Sequence, residues 1–262
     1  MTWLALRLLR PYLMVAGLIA AAATGYLLFA AGVIQRYLDD AGVPDCRDPN
    51  LCWPGGDAMQ AIFGIQLVAA FVPPLIGLVL GVALFARERE EDTTAFALTQ
   101  STPRGRWVLI KLGWALAAGV AGTAVVAVTH RLLTAPYTVI ANDNYELIEL
   151  LHLNHPGYMT AQTATVIAVA ALAGLRTGRT LPTLVLTVAA WPIAMLVSFV
   201  GVNLLAGPMQ ALTGDAPPAG GGSFADDYSL ADTFGWAATV LLALGVTGLV
   251  LLTRGAGARS IR

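Results

Sequence analysis

Charge is what this sequence has least of. Only 12% of its 262 residues are Asp, Glu, Lys or Arg, whereas 57% are hydrophobic, and the mean hydropathy is +0.70. A water-soluble domain of this length does not need so much apolar surface, so the composition excludes that class and points to a chain embedded in a bilayer. The net charge of −1 gives no basis for a nucleic-acid partner. Lysine is scarcer still, since Lys111 stands alone against fourteen arginines. No glycine-rich run precedes Lys111 and Leu112 follows it, so the phosphate-binding pattern GxxxxGK(S/T) is missing. No cofactor is expected on this chain, and any ATP hydrolysis has to come from a partner. Alanine and glycine are abundant, and we read the arginine excess as high-GC coding bias rather than chemistry. No cleavable leader is expected at the start. Residues 1–10 are basic and amphipathic with no convincing small-residue cleavage site after them, so the first apolar run is expected to stay in the protein.

Long apolar runs are what the chain does have. Six of them, at 12–34, 61–85, 107–129, 157–175, 181–205 and 234–252, approach or exceed the roughly 20 residues that cross a bilayer as a helix. The expected fold class is therefore all-α, a polytopic membrane protein with six transmembrane helices in one domain. Ahead of the first run, residues 2–10 set Trp3, Leu4, Leu6, Leu8 and Leu9 beside Arg7 and Arg10. That pattern suits an elbow helix lying in the interface with its arginines toward the phosphates, and Pro11 is expected to break it from the span. The plainer alternative is a ragged start to the first span. Pro73 and Pro74 lie in the middle of the second span and remove helix hydrogen bonds there. A gating hinge and a fixed packing shape are equally open.

Three polar segments join the spans on one side. Residues 35–60 hold five aspartates, three prolines and the only cysteines, Cys46 and Cys52. In an oxidising compartment these two would pair and close a small ring; free thiols are the alternative, and a zinc site is disfavoured because four ligands are normally needed. Residues 130–156 contain His130, His152 and His155 with Asp143, Glu146 and Glu149. His152 and His155 have i, i+3 spacing, but Asn154 and Pro156 argue against a continuous helix, so a surface pair is the expected reading. Residues 206–232 include the linker-like PPAGGG from Pro217 and end acidic with Asp226, Asp227 and Asp232.

Between the second and third spans lies the one strongly charged insert, residues 86–111. Arg87, Glu88, Arg89, Glu90, Glu91 and Asp92 form a run that must sit in water, because ionised groups in hydrocarbon cost about 2.5–3.5 kcal/mol each even on lenient scales. Asp92 or Thr93 then caps a short helix over residues 93–101. This helix carries Phe96 and Leu98 as its bulky apolar groups and ends before Pro103. Thr102 caps the next helix, with Pro103 at its first position. A short polar helix held between two membrane helices is suited to passing force to something outside the membrane.

Counting charges orients the chain. One side of the membrane holds Arg7, Arg10, Arg87, Arg89, Arg104, Arg106, Lys111, Arg176, Arg179, Arg254, Arg259 and Arg262, and the other holds Arg36, Arg47 and Arg131. Twelve against three puts both termini and the charged insert in the cytoplasm, and it puts the cysteine loop outside.

Six spans, an amino-terminal elbow and a charged helix after span two resemble the permeases of the ATP-binding-cassette type-2 exporter family, as found in high-GC bacteria. The residues that carry the resemblance are PPLIGLVLGVALFARERE from Pro73 and EDTTAFALTQSTPRGRWVLIKL up to Leu112. Within them Arg87, Glu88, Glu90, Thr93, Thr99, Gln100, Ser101, Arg104, Arg106, Trp107, Lys111 and Leu112 match the family's pattern, and Asp92 replaces its usual glycine. A second match is LRTGRTLPTLVLT from Leu175. The resemblance implies two permease chains, identical or paralogous, above two cytoplasmic ATPase subunits that bind ATP and Mg. The helix at 93–101 would be the coupling helix. Arg87, Glu88, Glu91, Asp92, Thr93, Phe96, Leu98, Gln100, Arg104 and Arg106 would then form the ATPase contact, with Phe96 and Leu98 as buried anchors.

The spans hold few ionisable groups, which gives an ion relay little support and favours an amphipathic or apolar cargo such as a drug, lipid or natural product. Gln66, Gln162 and Asn203 either line a pathway or hydrogen-bond between helices, the commoner use of such groups. Two other readings compete with the exporter: a membrane enzyme built on His130, His152, His155 and the outer carboxylates, and a non-transporting anchor or sensor. In intact cells, cysteines introduced between Arg87 and Arg106 should resist a membrane-impermeant thiol reagent and react once the inner face is opened; reaction from outside would sink the orientation.

Overall fold

The computed structural model describes residues 2–40, 56–90, 104–134 and 156–192, and all regular structure among them is helical. The helices are α1 (Thr2–Asp40), α2 (Gly56–Glu90), α3 (Arg104–Thr134) and α4 (Pro156–Thr177), followed by the shorter apolar helix α5 (Thr180–Pro192). Four stretches are long and apolar enough to span a membrane: Leu6–Tyr37, Gly56–Ala86, Trp107–Thr134 and Pro156–Thr177. The chain is thus a multi-pass membrane protein. The sixth span, the helix at 93–101, Cys46 and Cys52 all lie outside the described residues, as does the remainder of the fifth span after residue 192.

α1 does not stop at Pro11, as the sequence led us to expect. It is one helix from Thr2 to Asp40 with Pro11 inside it. A proline within a helix forfeits the bond to the carbonyl four residues back, here Arg7, and can bend the helix without ending it. At about 1.5 Å per residue the 32-residue apolar stretch is about 48 Å long, well beyond a hydrocarbon core of about 30 Å, so the helix tilts or reaches into the headgroups at its ends. A second correction concerns His130. Rather than opening a polar loop, it lies on α3, buried at 3% exposure in line with Thr123, Val126 and Ala127. These four positions are spaced as one helix face.

α1 and α4 each pack against both α2 and α3, and α2 packs against α3. On α1 the inward residues are Leu9, Ala16, Ala20, Ala23, Leu27, Ala30 and Ile34, and from Ala16 onward their alternating spacing of four and three is that of a helix–helix seam. Most are alanine, which lets the neighbouring helices come close. Outward-facing Leu18, Phe29, Leu132 and Leu181 are each about 70% exposed, the arrangement expected of side chains that meet lipid rather than water.

The most extensive contact is α2 on α4. A Cβ on Gly77 would stand 2.8 Å from Val166 Cβ and 2.9 Å from the Thr163 carbonyl oxygen, and one on Gly81 would stand 2.5 Å from Ala170 Cβ. On α3, a Cβ on Gly119 would meet Ile167 Cδ1 at 2.7 Å. Gly77 and Gly81 are four residues apart, the GxxxG spacing that brings two membrane helices into backbone contact. Overpacking a close-packed interior costs about 1–3 kcal/mol, so Gly81→Leu should lower the thermal unfolding midpoint of the detergent-purified protein markedly. Gly25→Ala is the control, since no atom of a neighbouring helix lies within 4 Å of a Cβ there, and it should not lower the midpoint, because alanine is the better helix former.

Candidate functional site: the charged ends of the helices and the polar node behind them

Three helix ends gather at one end of the bundle. α2 finishes with Arg87, Glu88, Arg89 and Glu90, and α3 begins with Arg104, Gly105 and Arg106. The helix of α2 therefore continues past its apolar stretch into the charged run, which suits arginine and glutamate as good helix formers. α4 ends beside them. A Cβ on Gly174 would lie 3.2 Å from the Ala86 backbone nitrogen and 3.6 Å from Thr183 Cγ2, so the basic turn after α4 shares an end of the bundle with the charged insert. Arg176 and Arg179 are exposed there.

The turn itself is closely specified. Gly178 has φ of 62°, a conformation glycine adopts without the steric cost of a side chain, and its N–H donates to the Gly174 carbonyl at 3.0 Å. This is a left-handed helix terminus. The Thr177 and Thr183 hydroxyls lie 2.8 Å apart, and Thr183 Oγ1 donates to the Arg179 carbonyl at 2.7 Å. Threonines on both flanks thus join the end of α4 to the start of α5.

Just inside this end sits Lys111. Its side chain is 1% exposed, and its Nζ donates to the Leu84 carbonyl of α2 at 3.2 Å. The ammonium also lies 5.2 Å from the centre of the Trp107 ring and 5.9 Å from that of Phe85, within the range of cation–π attraction. Sequence reasoning missed this role. The signal was a single lysine about one helical turn inside a span of an otherwise arginine-bearing chain.

Deeper in the bundle a second polar feature joins three helices. Thr163 Oγ1 of α4 lies 3.1 Å from the Pro73 carbonyl of α2, 2.8 Å from Thr123 Oγ1 of α3 and 3.2 Å from its own Met159 carbonyl. Thr123 and Thr163 are fully buried. Because prolines at 73 and 74 supply no N–H, the carbonyls of Ala69 and Ala70 lose their helical donors, and the threonine pair braces α2 where its own ladder is weakest.

Of the residues proposed from the sequence to line a pathway, Gln66 and Gln162 are buried inside the bundle at 3% and 4% exposure, and Asn203 lies outside the described residues. Of those proposed for the ATPase contact, Arg87 and Glu88 belong to the last turn of α2, and Arg104 and Arg106 to the first turn of α3. Glu91, Asp92, Thr93, Phe96, Leu98 and Gln100 lie outside the described residues. Among the described residues no group of three His, Cys, Asp or Glu side chains is placed to hold a metal. His130 Nε2 and Trp191 Nε1 are buried without a hydrogen-bond partner.

A family model described as ABC-2 membrane transporter related matches residues 3–202. The chain belongs to that family. No curated protein and no solved structure matches it. As an ABC-2 permease it is a transmembrane transport component and not itself a catalyst. The match runs through both features described above, the charged helix ends with Lys111 and the Thr123–Thr163–Pro73 node. Hydrogen bonds between membrane helices contribute about 0.6 kcal/mol on average and up to about 1.7 kcal/mol. Thr163→Val should therefore lower thermal stability by an amount in that range, whereas Thr163→Ser, which keeps the hydroxyl, should retain most of it.

Proposed function

We propose that this ABC-2 permease is the membrane subunit of an exporter driven by ATP hydrolysis on separate subunits. The observation that carries the reading is the family match, taken together with two neighbouring helices, α2 and α3, that end in charged turns at one end of the bundle. In this reading six spans cross the bacterial cytoplasmic membrane with both termini inside. Residues 2–10 are the interfacial elbow at the start of α1, and residues 93–101 are the coupling helix. Two ATPase subunits carry ATP and Mg, and a second permease chain completes the pathway. Arg87, Glu88, Glu91, Asp92, Thr93, Phe96, Leu98, Gln100, Arg104 and Arg106 make the ATPase contact.

The mechanical logic follows from the fold. Closure of two ATPase subunits does work on the spans only through a stiff connector, and helical arms running unbroken out of α2 and into α3 are stiff. The described spans keep their charged groups near their ends, and Leu, Val, Ala, Phe and Gly dominate their middles. Such walls suit an amphipathic or apolar cargo, a drug, natural product or lipid, better than an ion. The enzyme reading loses support from the position of His130, which is enclosed on α3 rather than free in a polar loop.

Phe96→Asp puts a charge on the apolar anchor of the coupling helix and should sharply reduce co-purification of the ATPase subunit, while the permease still inserts and folds. Recovery of the ATPase at the parent level would overturn the assignment.

A further inference from the structure

Lys111 and Leu84 stand on the two arms of the charged connection, Leu84 just before Ala86 on α2 and Lys111 just after Trp107 on α3. Their bond closes a loop of the chain that contains the whole connection, and it is made by the only lysine in the sequence. A methionine of similar length would fill the same volume without taking an ammonium out of water, and exchanging a buried ion for such a residue is often neutral or stabilising. Packing alone therefore does not account for lysine here. What lysine adds is direction: a donor aimed at the Leu84 carbonyl, and a positive charge held against two aromatic rings, Phe85 from α2 and Trp107 from α3. A carbonyl oxygen has two lone pairs, so Leu84 accepts this bond without giving up its helical one.

We propose that Lys111 is the positioning residue of the connection between α2 and α3. Its ammonium fastens the two arms at one spacing, so that a displacement imposed on the connection moves both helices together instead of splaying them. The inference rests on the reading of this connection as the attachment of a motor subunit and deepens it, because it names the residue that keeps the attachment stiff where it enters the membrane. The ring contacts matter as much as the bond, since each arm supplies one ring and the charge lies within reach of both.

The test reads the spacing directly. In full-length protein with Cys46→Ser and Cys52→Ser, spin labels are attached at Glu90→Cys and Arg104→Cys, and the distance distribution is measured in lipid nanodiscs. A second pair, at Leu67→Cys and Leu132→Cys, reports on the opposite half of α2 and the far end of α3. The parent should give one narrow distance for each pair. Lys111→Met should add a longer component to the inner pair and leave the outer pair as it was. An inner pair with the parent distribution, or widening of both pairs alike, would overturn the proposal. If Lys111→Met is not recovered folded, Trp107→Leu, which removes one ring and leaves the Leu84 bond, is measured in its place, and the same outcomes decide. No ATPase is present in this measurement, so its failure is distinct from failure of the attachment reading, which the Phe96→Asp co-purification tests.

Discussion

The close approach of α2 to α4 is the constraint from which the other contacts follow. In a bilayer two helices gain nothing by hiding apolar surface from each other, because lipid tails are as apolar as leucine, so association depends on packing distance and on polar groups that find partners. Gly77 and Gly81 remove the side chains that would hold α4 away. Once the backbones are that close, the Thr163 hydroxyl reaches the Pro73 carbonyl on one side and Thr123 on the other. Gly119 then admits Ile167 to the third helix. A larger residue at 77 or 81 would displace all of these at once, since each depends on the same interhelical distance.

The charged end of the bundle follows a different rule. There the chain has to pass from hydrocarbon to water, and it does so without ending its helices. The hydropathy of α2 drops at Arg87, but the helix continues to Glu90. Lys111 is the exception to the placement of charge at helix ends, being buried about a turn inside the span. It is tolerated because a backbone carbonyl and two rings replace part of its hydration. Arg176 and Arg179 at the neighbouring turn stay exposed, so one end of the bundle carries basic groups of two kinds, solvated arginines and one enclosed lysine.

Hydropathy alone marked where lipid begins and ends, and for that reason it found the four described spans but not their helical limits. The polar ends of α1, α2 and α3 are good helix formers, and nothing in a hydropathy scale distinguishes them from loop. His130 shows the cost of that blindness. It stands at the start of the polar segment 130–156, yet its spacing from Thr123, Val126 and Ala127 matches the inward face of α3. Pro11 misled in the opposite sense, since one proline weakens a helix at a point and a strongly apolar continuation carries it through. The family pattern across the charged insert was legible in Arg87, Glu88, Trp107 and Lys111. That the lysine turns inward to Leu84 was not, because a single residue carries no periodicity. The GxxxG pair at 77 and 81 was legible by spacing and lay within the very segment that carried the resemblance.

Pro73 and Pro74 lie where α2 meets α4. A hinge requires a weakened backbone and freedom on at least one side of it. The backbone is weakened here, since two N–H donors are lost in succession. Freedom is not apparent: Pro73 itself accepts the Thr163 hydroxyl, and Gly77, one turn later, has α4 backbone and side chain within contact distance. Bending α2 at the prolines against α4 would separate groups that have no water to turn to in a bilayer interior, whereas moving α2 and α4 as one body would separate none of them. These contacts favour a fixed shape within a two-helix unit over a hinge, and the Lys111–Leu84 bond joins the charged end of α3 to α2 of that unit.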